Sequence, residues 1–231
     1  MAMAAPSATI TAMRIATTMN TPEAARLRLA QYLSPAFPVG GFAWSQGLEY
    51  AMDRGAVTRT SLPQWLADWL DHGSGWTDAV LLSLSLRKGA DHAALDDLAR
   101  AACASSQRLA ESVEQGAAFS ANLAALGGPA HVAAALPVGI GRACVAMPLP
   151  APEIVAAFLQ AQAAALISAA VRFLPLGPVQ GQAMLAALQP AILRAAARAA
   201  DATQADLRSA TWGADIAAMA HETMQTRIFR S

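Results

Sequence analysis

Charge is what this sequence has least of. Asp, Glu, Lys and Arg make up 14% of its 231 residues, well under the roughly 25% of an ordinary globular domain. The 16 basic and 16 acidic residues cancel, and no basic run stands out, which removes the electrostatic footprint of a nucleic-acid binder. Lysine is nearly absent, with Lys88 alone among arginines. Cysteine is confined to Cys103 and Cys144, far apart and in no CxxC pair. Nothing therefore signals a zinc site, a redox pair or a disulfide framework. Each cysteine sits among alanines and reads as a small buried apolar residue, and the cytoplasm is the default location. No stretch alternates β-branched and polar residues over a useful length, so strands are not expected.

Catalytic signatures are missing as well. Gly139-Ile140-Gly141 lacks the third glycine and flanking strand of a dinucleotide fold, and the Lys-Ser/Thr of a P-loop; it reads as a turn. No GxSxG occurs. The four histidines, His72, His92, His131 and His221, have no second His or Cys at zinc spacing. Asp68 with His72, and His92 with Asp96, share helical spacing and read as surface pairs. His221-Glu222 begins like HExxH, but residue 225 is Gln, so the second ligand is absent. His221 then reads as a helix residue near a C-terminus, where its charge suits the dipole. No metal or cofactor is expected.

What is there is alanine and helix. Hydrophobic residues reach 55%, and two readings fit: an Ala-rich helical protein, or one whose apolar surface is covered by other subunits. The first 20 residues, with Arg14 as their one charge, lack a signal-peptide layout and read as a disordered tail. Thr21-Pro22-Glu23 is a helix start with cap, N1 proline and first-turn acid, running to about Leu33. The prolines and glycines of 34–41 break it. A second helix is expected from about Ala43 to Gly55, and a third from Leu62 to Gly73, with Trp65 and Trp69 as core residues. Further helices are expected at about 75–88, 91–104 and 105–126, and a looser segment at 127–152. Long helices then follow at about 153–173 and from Pro178, with Pro190 kinking or breaking the latter, and a last one at about 215–225. The apolar stretch Ile154–Leu176 is interrupted by Gln160, Gln162 and Arg172 and is bulked by Ala, so it reads as a core helix and not a membrane span. The expectation is a single-domain, all-α bundle of about eight to ten helices over residues 21–231.

Two segments resist a purely structural reading. Pro38 to Tyr50 packs three glycines, three aromatics and several polar residues into one loop-to-helix junction. Gly47 there, inside the expected second helix, costs about 1 kcal/mol against Ala, which suggests a close helix–helix approach. His221 to Ser231 ends on two arginines flanking Ile228-Phe229, a pattern suited to interface anchors. With no stop signal after the last helix, this segment is expected to be mobile when free, to extend as helix on a partner, and to lie outside the monomer core.

These segments, with a third, resemble the UreF family of urease accessory proteins. The family pattern SPxxPVGGFxxSxGLE corresponds to Ser34-Pro35 through Glu49. A middle pattern RxxPLGQxxGQ corresponds to Arg172 through Gln182, and an ending DIxxMxHETQxxRLFRS to Asp215 through Ser231. Departures are Pro178 and Met224, each where Gln is usual, and a serine-rich segment only partly visible at Ser105-Ser106 and Ser112. The resemblance implies an all-α homodimer without catalytic activity. Such a protein would take part in building the nickel centre of urease, bridging the UreD (UreH) accessory protein and the GTPase UreG and, through them, apo-urease. The expected partner-binding residues are Gly40, Gly41, Phe42, Ser45, Gln46, Gly47, Glu49 and Tyr50 in the first segment, and Arg227, Ile228, Phe229 and Arg230 in the last. Neither nucleic acid nor membrane is expected as a partner. The alternatives of another class are a helical enzyme with an undetected small-molecule site, which predicts convergent titratable groups in a deep cavity, and a membrane-associated helical protein, which predicts an apolar face ringed by arginines.

Overall fold

In the computed structural model the described residues are 21–231, so the expected tail at 1–20 lies outside them. Among the described residues there are ten α-helices and no strand, as an all-α bundle requires. They are α1 (Pro22–Tyr32), α2 (Leu48–Asp53), α3 (Leu62–His72), α4 (Ser74–Ser85), α5 (His92–Ala101), α6 (Ser106–Ala125), α7 (Leu136–Cys144), α8 (Ala151–Phe173), α9 (Pro178–Asp201) and α10 (Trp212–His221). Short 3-10 turns occupy Gly41–Ala43 and Gln204–Asp206.

The helix starts follow their caps. The Thr21 hydroxyl accepts from Ala24 N at 3.3 Å, Asp91 accepts from Ala93 and Ala94 N at 3.1 Å, and Ser105 accepts from Arg108 N at 3.1 Å. Each satisfies an amide that the first turn leaves unpaired. α4 is the centre of the bundle: every residue from Gly75 to Ser85 is buried, and α3, α5, α7, α8 and α9 pack around it. α8 and α9 form a long antiparallel-style hairpin across Pro175–Gly177, while α10 closes against α2 and α6. α8 is long and apolar enough to cross a membrane by composition, with mean hydropathy 1.9. Here it packs as a core helix, with Ile154, Val155, Phe158, Leu159, Leu166 and Ile167 buried.

Four expectations on local structure change. The second helix does not begin at Ala43: Gln46 has φ +55° and Gly47 φ +79°, a left-handed pair that no α-helix contains, so α2 starts only at Leu48. Gly139-Ile140-Gly141 is not a turn but lies inside α7. A Cβ on Gly141 would sit 2.5 Å from the Ser85 Cβ, and one on Gly116 of α6 would sit 1.8 Å from the Ala134 carbonyl. The glycines therefore serve close packing of α7 between α4 and α6. Pro190 does not end α9, which runs through it. Pro190 and Ala186 both face solvent, so the carbonyl that the proline frees is hydrated. Finally, the last helix is Trp212–His221, earlier than expected, because the residues after it turn back onto the core.

Of the aspartate–histidine pairs, neither forms. Asp96 instead accepts from Arg100 Nε at 2.8 Å and from Ala135 N at 2.6 Å, His92 Nε2 contacts the Ser85 carbonyl at 2.9 Å, and Asp68 accepts from Gln64 at 2.9 Å.

Candidate functional site

The three sequence segments, remote along the chain, meet in one place. The centre is Glu49, on the first turn of α2 and only 1% exposed. Its Oε1 accepts from Ile228 N at 2.5 Å, and its Oε2 accepts from Phe229 N at 3.0 Å and His221 Nε2 at 2.9 Å. A buried carboxylate is stable only when donors meet its lone pairs, and here two of the three are backbone amides of the C-terminal segment. On the other side of the imidazole stands Gln107 of α6. Its amide nitrogen donates to His221 Nδ1 at 2.7 Å and to the Arg230 carbonyl at 3.3 Å, while its oxygen accepts from Arg227 Nη1 at 2.8 Å. With the Gln107 amide so oriented, His221 Nδ1 accepts and Nε2 donates to Glu49.

The end of the segment is held as firmly. Arg230 N donates to the Ala43 carbonyl at 2.8 Å. The Ser231 carbonyl accepts from Ser45 N at 3.0 Å and from the Ser45 hydroxyl, and the Ser231 hydroxyl accepts from Gln46 N at 3.1 Å. Two arginines clamp the aromatic rings. Arg172, at the end of α8, lies 4.3 Å over Phe229 and donates to the Phe42 carbonyl at 2.6 Å. Arg230 lies 4.3 Å over Trp44 and binds Glu114 through two hydrogen bonds of 2.6 and 3.0 Å.

The expected tail geometry is therefore corrected. Residues 222–231 form no helix and lie back on the fold, anchored by Phe229 and Ser231, each only 2% exposed. The balance tips because Phe229 brings its burial together with the amides that the buried Glu49 needs. Gly47 is corrected too. It lies before α2 instead of inside a helix, and a Cβ there would sit 2.4 Å from Ala218 N of α10. The close approach expected of it is real, and it occurs within the chain. His221 is the last residue of α10, at the helix C-terminus as expected, and there it is fully buried against Glu49.

Of the expected partner-binding residues, Ser45, Gln46, Gly47, Glu49, Arg227, Phe229 and Arg230 all enter this knot. Phe42 and Ile228 rim it, exposed by 73% and 62%. Gly40, with φ +74°, and Gly41 shape the loop above it. Tyr50 points elsewhere, under Arg54 at 5.2 Å.

A second buried polar cluster adjoins the knot, joined through Gln46. The Gln46 amide oxygen accepts from Trp69 Nε1 at 3.0 Å and the Ser74 hydroxyl at 2.9 Å, and its nitrogen donates to Glu111 Oε1 at 3.3 Å. Arg108, buried, pairs with Asp78 on α4 and stands 3.4 Å from Glu111. Burial pushes the Asp78 and Glu111 carboxyls above their ordinary values against the pull of Arg108. Burial would lower the Arg108 guanidinium, but the two acids outweigh it and hold it charged. Sequence reasoning passed over Gln107, Arg108, Glu111 and Gln115. The available signal was Arg108, Glu111, Gln115 and Phe119 at helical spacing on one side of α6, a polar stripe continuous with a core aromatic. Among the described residues no three His, Cys, Asp or Glu side chains converge on a metal-sized point.

The UreF family model matches residues 57–189. The urease accessory protein UreF of Paracoccus denitrificans (strain Pd 1222) is 77% identical over 214 residues, covering 93% of this chain and 100% of that protein. That of Cereibacter sphaeroides (strain KD131) is 51% identical over 209 residues, covering 90% and 99%. That of Jannaschia sp. (strain CCS1) is 43% identical over 206 residues, covering 89% and 94%. With a family model matched over more than half its length and near-complete relatives at such identity, the chain belongs to the UreF family.

Proposed function

We propose that this protein acts in urease maturation as a non-catalytic scaffold, a homodimer that bridges the UreD (UreH) accessory protein and the UreG GTPase while nickel is incorporated into apo-urease. The observation that carries this reading is how the polar groups are used. In the knot they hold the chain's own backbone, while large apolar side chains stand exposed around it. Trp212, Ile216 and Met219 line one face of α10 at i, i+4, i+7 spacing and are exposed by 75%, 59% and 47%; Phe42 and Ile228 are exposed nearby in the fold's loop and tail. Exposed aromatic and aliphatic side chains grouped on one element suit protein contacts. In this reading Glu49, His221, Gln107 and Gly47 shape the docking surface, and Phe42, Ile228 and the α10 face touch the partner.

The test is a deletion strain grown under limiting nickel. Urease polypeptide should accumulate without its metal, and complementation with Trp212→Asp/Ile216→Asp should restore little activity although the variant folds. Normally nickel-loaded urease in the deletion strain would refute the assignment.

A further inference from the structure

The loop between α6 and α7 shares no residue with the knot. Its far end is fixed. Ala134 and Ala135 are buried, the chain there lies too close to Gly116 of α6 to admit a Cβ, and Ala135 N donates to Asp96 Oδ1 at 2.6 Å. Ahead of that anchor, Pro129 to Ala133 are exposed. Val132 is 85% exposed, more than any other large apolar side chain among the described residues. Its carbonyl accepts from Arg142 Nη2 of α7 at 2.6 Å, which holds that partly exposed guanidinium against the loop. Beside them stand two imidazoles. His92, at the start of α5, donates from Nε2 to the Ser85 carbonyl at 2.9 Å, and His131 is exposed on the loop itself. The proton affinity of His131 is held below its ordinary value by partial burial, then by Arg142 and by His92. The acids of the neighbouring α5 are engaged. Asp96 accepts from Arg100 Nε and the Ala135 amide, and Asp91 accepts from the first-turn amides of α5. Among the described residues none of the three cationic side chains forms an ion pair, and residues 1–20 contain no Asp or Glu. Cationic groups without a counter-charge, around an exposed apolar side chain, favour an acid from outside the chain.

We propose that this loop is a docking surface for a partner-protein segment that carries an acidic residue next to an apolar one, the carboxylate facing His131, Arg142 and His92 and the apolar side chain covering Val132. The inference is separate from the bridging role: it uses neither the knot nor the exposed face of α10, and its chemistry is charge complementarity. An arriving carboxylate also offsets the repulsion that Arg142 and His92 exert on a proton at His131. Docking therefore takes up a proton, so it strengthens as pH falls through the His131 value and weakens as pH rises above it.

A fluorophore-labelled peptide, acetyl-Ala-Leu-Glu-Leu-Ala-amide, and its glutamine counterpart, equal in shape but uncharged, can be titrated against the full chain by anisotropy at about pH 6 and about pH 8. At the lower pH the glutamate peptide should bind about fivefold or more tightly than the glutamine one, and the gap should narrow at the higher pH. Arg142→Gln should reduce the preference at both. His131→Gln, at an exposed position that makes no side-chain hydrogen bond, should remove the pH dependence, and Val132→Ser should weaken both peptides. Circular dichroism checks the folds, and the two loop variants decide the matter if Arg142→Gln does not fold. Equal binding of both peptides, binding of neither, a preference indifferent to pH, or unaltered binding to His131→Gln or to Val132→Ser would each overturn the proposal. Displacement of the peptide by acetate at matching concentration would also overturn it, assigning the site to a free small anion instead.

Discussion

Gly47 takes a conformation that L side chains rarely adopt, at φ +79°, and faces the backbone of Ala218 with no room for a Cβ. Both penalties act on the folded monomer. Gly47→Ala should therefore lower thermal stability by about 2–4 kcal/mol, measured by circular dichroism melting, and Gly47→Leu should fail to fold instead of merely losing a partner. Glu111 yields a prediction of opposite sign. Its carboxyl is pushed above the ordinary 4.5 by burial, against Arg108 and its hydrogen bonds. The folded state thus holds that proton more tightly than the unfolded chain does. The stability linked to this group is present below the ordinary glutamate value and is lost as pH rises above it. Glu111→Gln removes that loss, so its melting temperature relative to wild type should climb between pH 5 and 8. A flat difference over that range would show Glu111 ionised at little cost.

At the scale of elements, the C-terminal strap is a structural member. Deleting residues 227–231 would expose the site of Phe229, worth about 1.5–3 kcal/mol, and would strip two amides from a buried carboxylate, worth roughly 1–3 kcal/mol more. The truncated protein should therefore melt well below wild type, and in the intact protein the Ile228 and Phe229 amides should resist hydrogen exchange. Protection no greater than that of an unstructured peptide would contradict the packing. Sequence signals located the helices well where a cap or a proline-glycine break marks them, as at Thr21 and Pro178. They missed α7 because Pro137, Gly139 and Gly141 look like turn residues until α4 is there to leave no room for a side chain at position 141. They misread the segment at 43–55 because Gln46 carries no hint of a positive φ, which is imposed by its bonds to Trp69, Ser74 and Glu111. The strap was misjudged for a related reason. Local propensity says nothing about a carboxylate 179 residues earlier in the chain waiting for the Ile228 amide.

At the scale of the molecule, the low charge content divides into two parts. Much of the apolar excess is simply interior: α4 is enclosed on all sides and α8 is a core helix despite its hydropathy. The remainder is exposed and grouped, most clearly on α10. Trp212→Asp or Ile216→Asp should change stability by no more than about 0.5 kcal/mol, as exposed positions do, while weakening copurification of UreD. A large drop in melting temperature would instead mark this face as part of the monomer core. The site's membership was legible in sequence, since the three motifs named most of the knot. That Glu49, Phe229 and Arg230 also fasten the chain to itself was not legible.

The pairing of Glu49 with residues 228 and 229 also sets a schedule. At a synthesis rate of about 5–20 residues per second, the intervening stretch takes roughly 10–40 s to leave the ribosome. Throughout that interval the nascent chain carries an acid whose burial has no counterpart. The buried form of the Glu49 site is therefore completed only after residues 228 and 229 have been synthesised.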